Sequence, residues 1–581
     1  MFDIISFPFY CINTKTIGTM KSFKVTISLL LMSFAWLAAP VNMFSAETSD
    51  KDSPCIINFI NFIRQTEPRW PEDYPDEYLF NTTLEELKQL NEFGFKGTFL
   101  IQYDALINPD YQELMKKAIE QGHEVGAWWE ITEPHVKDAG MNWRGRFPWD
   151  WHANVGFATG YTPDERIRLV DVYMEKFHSI FGCYPASIGS WFIDAHTMGY
   201  LYDRYNVKTA CMCRDQYGTD GYTLWGGYWN QAYYPSRLNS YMPAQTQEEQ
   251  IPIPVFRMLG SDPIYQYDSS IGNNGQGVIT LEPVYKNGGG NRRWVEWFFP
   301  AMAGSKSINF NYIQAGQENS FGWNAIRNGL TMQVELVRGM ADEGLVRVET
   351  LGESGSWYKK NFPVTPATAV TVMDDYRGKD ISSVWYNSRF YRAGLLWIKN
   401  KFVIRDIHMF DAGIESDYLR KAGTTTYCEY ITPPFVDGFL WSTEKEKAGL
   451  RLVAFKEDGT AKEISVKSHE FVESGENALT VNCNTAYGQF SLLFEEKAMT
   501  VAFSPADGAE SLDWALEFTA VKKDDLPFTK MSDKAISASH RGYDYDVNLI
   551  EGKFVQKDSD FAKWHIVPQD NRLVLSGVIA E

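Results

Sequence analysis

A chain of 581 residues with 44% hydrophobic and 22% charged residues has the composition of a folded protein and is too long for a single hydrophobic core. Its net charge of −19, with no long basic stripe, excludes a nucleic-acid partner, because such binding depends on clustered Lys and Arg that displace counterions. The 19 Trp, 31 Tyr and 37 Phe include loop-like clusters such as Trp225-Gly226-Gly227-Tyr228-Trp229, which suit either sugar rings or a large aromatic core.

Residues 1–46 read as a signal region whose true start is Met20. Met20-Lys21-Ser22-Phe23-Lys24 is basic, 25–38 is apolar, and small residues follow at Ala39 and Ala46. The apolar run is shorter than the ~20 residues a spanning helix needs, so the expectation is an exported protein without a membrane span, periplasmic or extracellular. Cys55, Cys183, Cys211, Cys213, Cys428 and Cys483 are dispersed, which fits buried packing better than a disulfide framework or a zinc site.

From 54 to 362, strand-like runs alternate with helical ones, the pattern of β/α units around a parallel sheet. Strands are expected at 56–63, 97–101, 124–129, 186–192, 207–213, 253–259 and 277–281, and helices at 83–92, 109–121, 163–181 and 321–342. Thr162-Pro163-Asp164-Glu165 is a strong helix start, with a capping hydroxyl, a first-turn proline and acids near the positive end of the dipole. The fold class is therefore α/β, a β/α barrel with seven strands. Beyond Pro363 the period changes to alternation, as in 383–386, in 395–398 and 402–407 around Lys399-Asn400-Lys401, and in 489–494. That predicts an antiparallel β-sandwich over 363–581, either glycan-binding or structural.

Gly97-Thr98-Phe99 followed by Gly122-His123-Glu124-Val125-Gly126 resembles the polysaccharide deacetylase (NodB-like) domain of the glycoside hydrolase/deacetylase barrel superfamily. The resemblance implies the barrel and a carbohydrate substrate. In register, however, the two family histidines that hold a divalent metal fall on Trp128 and Thr132. The aspartate pair that ends the family's first strand is replaced by Arg64-Gln65-Thr66-Glu67-Pro68-Arg69. No metal and no other cofactor is expected, since neither Trp nor Thr replaces an imidazole donor.

Nearly every expected strand is followed by an acid: Glu67, Glu130, Asp194, Asp215, Asp262 and Glu282. A closed barrel gathers such strand ends on one face, and glycoside hydrolysis needs one protonated acid and a second carboxylate. Loop acids also cap helices or hold arginines, so each has a purely structural alternative. Glu130, beside Trp128 and Trp129, is the expected acid, because an apolar setting raises a carboxyl pKa. Asp262, before Pro263, is its expected solvated and ionised partner, with Asp215 and Glu282 completing the catalytic set. Glu67, Arg69, Trp129, Trp191, Asp194, His196, Trp225, Asn230, Gln266 and Tyr267 are expected to bind substrate. These residues point to an exported glycoside hydrolase acting through two carboxylates. Two alternatives stand beside it: a metal-dependent deacetylase with a rearranged site drawing on His135, His152 or His196, and a barrel that binds glycan without turnover. The pattern specifies neither the sugar nor the oligomeric state.

Overall fold

The computed structural model describes residues 53–68, 78–305, 307–508 and 512–579. The signal region and Arg69 lie outside the described residues. The elements that build the first part are β1 (Cys55–Ile63), α1 (Tyr78–Glu92), β2 (Thr98–Ile101), α2 (Pro109–Glu120), β3 (Glu124–Trp128), α3 (Pro163–Phe181), β4 (Ser187–Ser190), α4 (Ala195–Tyr205), β5 (Thr209–Cys213), β6 (Val255–Met258), α5 (Arg292–Ala303), β7 (Asn311–Ala315), α6 (Trp323–Asp342) and α7 (Leu351–Asn361).

These strands pair in parallel in the order β7-β1-β2-β3-β4-β5-β6. The side-chain oxygen of Gln314 on β7 accepts from the Leu259 amide just past β6 at 2.7 Å, so the sheet nearly closes on itself. β1 is buried at all nine positions, as a parallel strand covered on both faces must be. Close approach of β3 and β4 requires glycine at 126. A Cβ there would lie 2.4 Å from the Ser187 hydroxyl and 2.7 Å from its carbonyl.

Local chemistry accounts for the helix ends. In α3 the Thr162 hydroxyl and the Glu165 carboxylate cap each other's backbone amides, Pro163 opens the first turn, and Gly182 ends the helix at φ 77°. The segment 277–281 is not the expected strand. It is a loop whose Thr280 makes one isolated bridge to Ser261, and the strand that completes the parallel path is β7.

After α7 the two large sheets are antiparallel. Thr368–Val372, Ile381–Asn387, Tyr391–Ile398 and Lys401–Met409 form a meander within one sheet, and a second, eight-stranded sheet runs from Val466–Gly475 to Arg572–Ser576. Residues of both sheets, including Trp397, Phe471, Phe490 and Trp564, share one apolar cluster. This region also joins the first part directly. Strand Cys428–Ile431 pairs in parallel with Tyr222–Trp225, and Trp385 stacks on Trp229 at 4.6 Å, a contact worth about 1 kcal/mol beyond its burial. Among the described residues, no helix is long and apolar enough to cross a membrane.

Candidate active site

Because the parallel strands share a direction, the residues that follow them gather at one mouth. There a cavity of about 610 Å3 is lined by Arg64 and Glu67 after β1, Trp191 after β4, Arg214 after β5, Leu259 after β6 and Glu318 after β7. Trp149, Trp151 and His152 from the long β3–α3 connection, Tyr222, Glu282 and Tyr285 complete much of the wall, and Thr426 and Tyr427 come from the C-terminal region. Aromatic faces interleaved with charged groups form a surface on which a sugar can stack its C–H faces and hydrogen-bond its hydroxyls.

Arg64 organises one side. Its Nε and Nη2 donate to the two oxygens of Glu130 at 2.9 and 2.7 Å, while Nη1 meets Glu67 at 3.3 Å and Glu318 at 2.6 Å. The guanidinium also lies over the Trp149 ring at 4.1 Å. The side chains of Arg64 and Glu130 are nearly excluded from water, and breaking such a pair costs about 3–5 kcal/mol because one charge stays buried alone. Gly316, at φ 97°, makes the turn that carries the chain from β7 to Glu318. A Cβ there would meet the Ile60 carbonyl at 2.3 Å.

Glu282 occupies the opposite condition. Its loop is pinned to the end of β6 by the Leu281 amide on the Gly260 carbonyl at 3.0 Å, and to α6 by Gln333 on the Leu281 carbonyl at 2.8 Å. The Thr280 hydroxyl donates to its Oε2 at 2.7 Å. Burial pushes the Glu282 carboxyl up to about 7, outweighing the positive charge of Arg214 and the Thr280 hydrogen bond, and the negative charge of Glu318 adds to the rise. This carboxyl keeps its proton into the neutral range while facing the cavity.

Of the four acids expected to be catalytic, Glu282 lines the cavity and the other three do not. Both Glu130 oxygens are taken up by Arg64, with Gln102 donating at 2.7 Å and Trp191 at 2.8 Å, so it is a support beneath the cavity rather than a free acid. Asp262 is buried, not solvated. It accepts from the Ile264 and Tyr265 amides at 2.8 and 2.7 Å and from Trp294 at 2.8 Å, and burial raises its carboxyl above the usual range against those bonds. The expected shared pocket of Glu130 and Asp262 is therefore absent from the cavity lining. Asp215 lies among Arg392, Arg257 and the Tyr241 hydroxyl. Burial alone would raise its carboxyl, but the two guanidinium groups hold it below the usual range.

Among the expected substrate-binding residues, Glu67 and Trp191 line the cavity. Asp194 caps α4 through the Thr197 amide at 2.9 Å and pairs with Arg166 at 2.8 Å, with His196 on the same first turn of α4. Trp129 is buried against His135 and Tyr173. Trp225 donates to Asp437 at 2.8 Å and stacks on Tyr267, whose hydroxyl reaches the Arg405 carbonyl. The amides of Asn230 and Gln266 are spent on Ser261 and on the Gly277 carbonyl. These seven residues serve packing or loop structure. Glu318 and Arg214 are cavity residues without an assigned role in the sequence reading. Glu318 follows β7 by three residues, and the mixed Asn-Tyr-Ile-Gln-Ala sequence of that strand does not mark the position.

The residues at the deacetylase metal register do not fit a divalent ion. Trp128 stacks on Phe62 at 4.4 Å, Thr132 is a buried hydroxyl, and His135 bonds the Leu169 carbonyl at 2.8 Å while stacked on Tyr103. Among the described residues no group of three His, Cys, Asp or Glu stands ready to hold a metal. At the end of β1, where the family places carboxylates, the guanidinium of Arg64 stands among three of them.

No family model matches the chain, and no curated protein matches it. Among solved structures it is similar to a Parabacteroides distasonis protein assigned as a glycoside hydrolase/deacetylase, at 17% identity and a TM-score of 0.49, over 68% of this chain and 94% of that one. It is also similar to a Mycobacterium smegmatis protein assigned as a polysaccharide deacetylase, at 13% identity and a TM-score of 0.34, over 55% and 95% of the two chains. A third similar structure is a family 4 acetyl xylan esterase from Clostridium thermocellum in complex with a cobalt ion, at 10% identity and a TM-score of 0.25, over 52% and 92%.

Proposed function

We propose that this protein is an exported hydrolase of glycosidic bonds in a poly- or oligosaccharide, with its chemistry in a seven-stranded β/α barrel over 54–362 and a β-sandwich over 363–581 that completes the cavity. The observation that carries the reading is Glu282, a carboxyl held at about 7 on the wall of an aromatic-lined cavity that also presents Glu318 and Glu67. A carboxylic acid still protonated near neutral pH can give its proton to the leaving oxygen as the glycosidic bond breaks. The second group is Glu318, steadied by Arg64 and close enough for its charge to act on Glu282. As a carboxylate it attacks the anomeric carbon or takes a proton from the attacking water, and in either case it offsets the positive charge that develops on the sugar ring. No step requires a metal. The test is the pair E282Q and E318Q assayed on plant and bacterial glycans once turnover is detected. Each variant should lose at least ~10²-fold in kcat with its fold intact, and near wild-type rates in both would remove the assignment.

A further inference from the structure

We infer that the sugar taken into this cavity carries an oxyanion, a uronate carboxylate or a sulfate ester, and that Arg214 is the residue that receives it. The inference rests on the reading that the cavity binds carbohydrate, and it adds the chemical class of that carbohydrate.

Arg214 follows β5, is 2% exposed and lines the cavity. Its Nη1 donates to the Asp215 backbone carbonyl at 2.6 Å, while Nε is buried with no hydrogen-bond partner among the described residues. The other buried arginines at the heart of the fold are matched with carboxylates: Arg64 with Glu130, Glu67 and Glu318, Arg166 with Asp194, Arg257 with Asp215, and Arg392 with Asp215 and Asp406. Arg214 makes no such ion pair within the described residues.

The nearby acids do not supply the missing charge. The Asp215 carboxylate is turned to Arg257 and Arg392, and Glu282 acts on Arg214 without closing to ion-pair distance, its Oε2 engaged by Thr280. A buried guanidinium left without a counter-ion is costly, so the fold keeps this one where an incoming anion can meet it. The planar edge of a guanidinium matches the two oxygens of a carboxylate or sulfate in a paired hydrogen bond. Trp191, on the same wall, offers a ring against which the sugar itself can lie. The net charge of −19 opposes an anionic ligand at long range, but that field is screened within about 8 Å at physiological ionic strength, so the charges on the cavity wall decide: Glu67 and Glu318 are matched by Arg64, Glu282 keeps its proton up to about pH 7, and Asp220 is exposed to solvent.

The test is equilibrium binding of the wild-type protein, by titration calorimetry, to three oligosaccharides of one length: a glucuronate-containing one, its carboxyl-reduced neutral counterpart and a sulfated one. At least one acidic ligand should bind at least ~10-fold more tightly than the neutral one, as a charge-assisted pair in a buried site warrants, and whichever does so identifies the anion. In R214Q that ratio should collapse toward one, and R214K should recover part of it, since lysine restores the charge without the fork. Equal binding of all three by the wild type, which needs no variant to fold, overturns the inference, as does a preference that survives in R214Q. Acidic binding with no cleavage of any glycan would sink the hydrolase reading and leave Arg214's role standing. Cleavage and binding that ignore the charge would do the reverse.

Discussion

Replacing Glu282 with Gln tests the acid through stability as well as turnover. The carboxyl stands at about 7 in the folded protein against an ordinary 4.5. The folded state therefore holds this proton more tightly than the unfolded chain, so the group's stabilisation is fully present below about pH 4.5 and is lost as pH rises through about 7. Between about pH 5 and about pH 8 the loss is about 2 to 3 kcal/mol, taking about 1.4 kcal/mol per unit. With an unfolding entropy of about 2.1 cal/mol/K per residue over a chain of this size, that is about 2 °C in Tm. Gln does not titrate, and it keeps an oxygen for the Thr280 hydroxyl. Thermal melts followed by circular dichroism should thus show the wild type losing about 2 °C relative to E282Q on going from the lower to the higher pH. In the same window wild-type kcat/KM should fall above about pH 7, as the acid loses its proton. Melting profiles of the two proteins that run parallel across the whole range would refute a buried, high-pKa carboxyl at this position.

Three further outcomes are expected. D215N should lower stability by about 3–5 kcal/mol, since Arg392 and Arg257 would face one another without their shared anion, and denaturant unfolding reads this directly; a change under 1 kcal/mol would contradict the ion network. Activity should survive exhaustive chelation, because Trp128 and Thr132 stand at the metal register; loss with recovery on adding zinc or cobalt would restore the deacetylase alternative. N-terminal sequencing of the secreted protein should begin between Pro40 and Lys51, and an intact Met1 on cytoplasmic protein would contradict export.

The parts of the fold that could be read from the sequence are those whose burial leaves a one-dimensional trace. β1, β2, β5 and β6 are short, mostly apolar runs because parallel strands are covered on both faces, and α3 announces itself through Thr162 and Pro163. β7 leaves no such trace. Its Asn311 and Gln314 are buried amides whose partners, the Met302 carbonyl and the Leu259 amide, are fixed by tertiary packing. The run of Val278, Ile279 and Leu281 imitates a strand because the loop lies under the end of β6. With β7 hidden in this way, Glu318, flanked by Gln317 and Asn319, does not stand out as an acid that follows a strand. Glu130 was traceable as a strand-end acid. Its commitment to Arg64 was not, because 66 residues separate them and the direction of a guanidinium leaves no mark on composition. The same holds for Asp215 and Arg392, 177 residues apart.

The pairing of Cys428–Ile431 with Tyr222–Trp225 brings Thr426 and Tyr427 into the cavity wall, so the mouth of the barrel is tailored by chain that lies far downstream of it. A barrel severed near Pro363 would arrive with an open flank, and Asp215 would lose Arg392 at the same cut. Thr426 and Tyr427 are thus the residues through which the downstream chain reaches the cavity, while Glu282 and Arg64 belong to the upstream part.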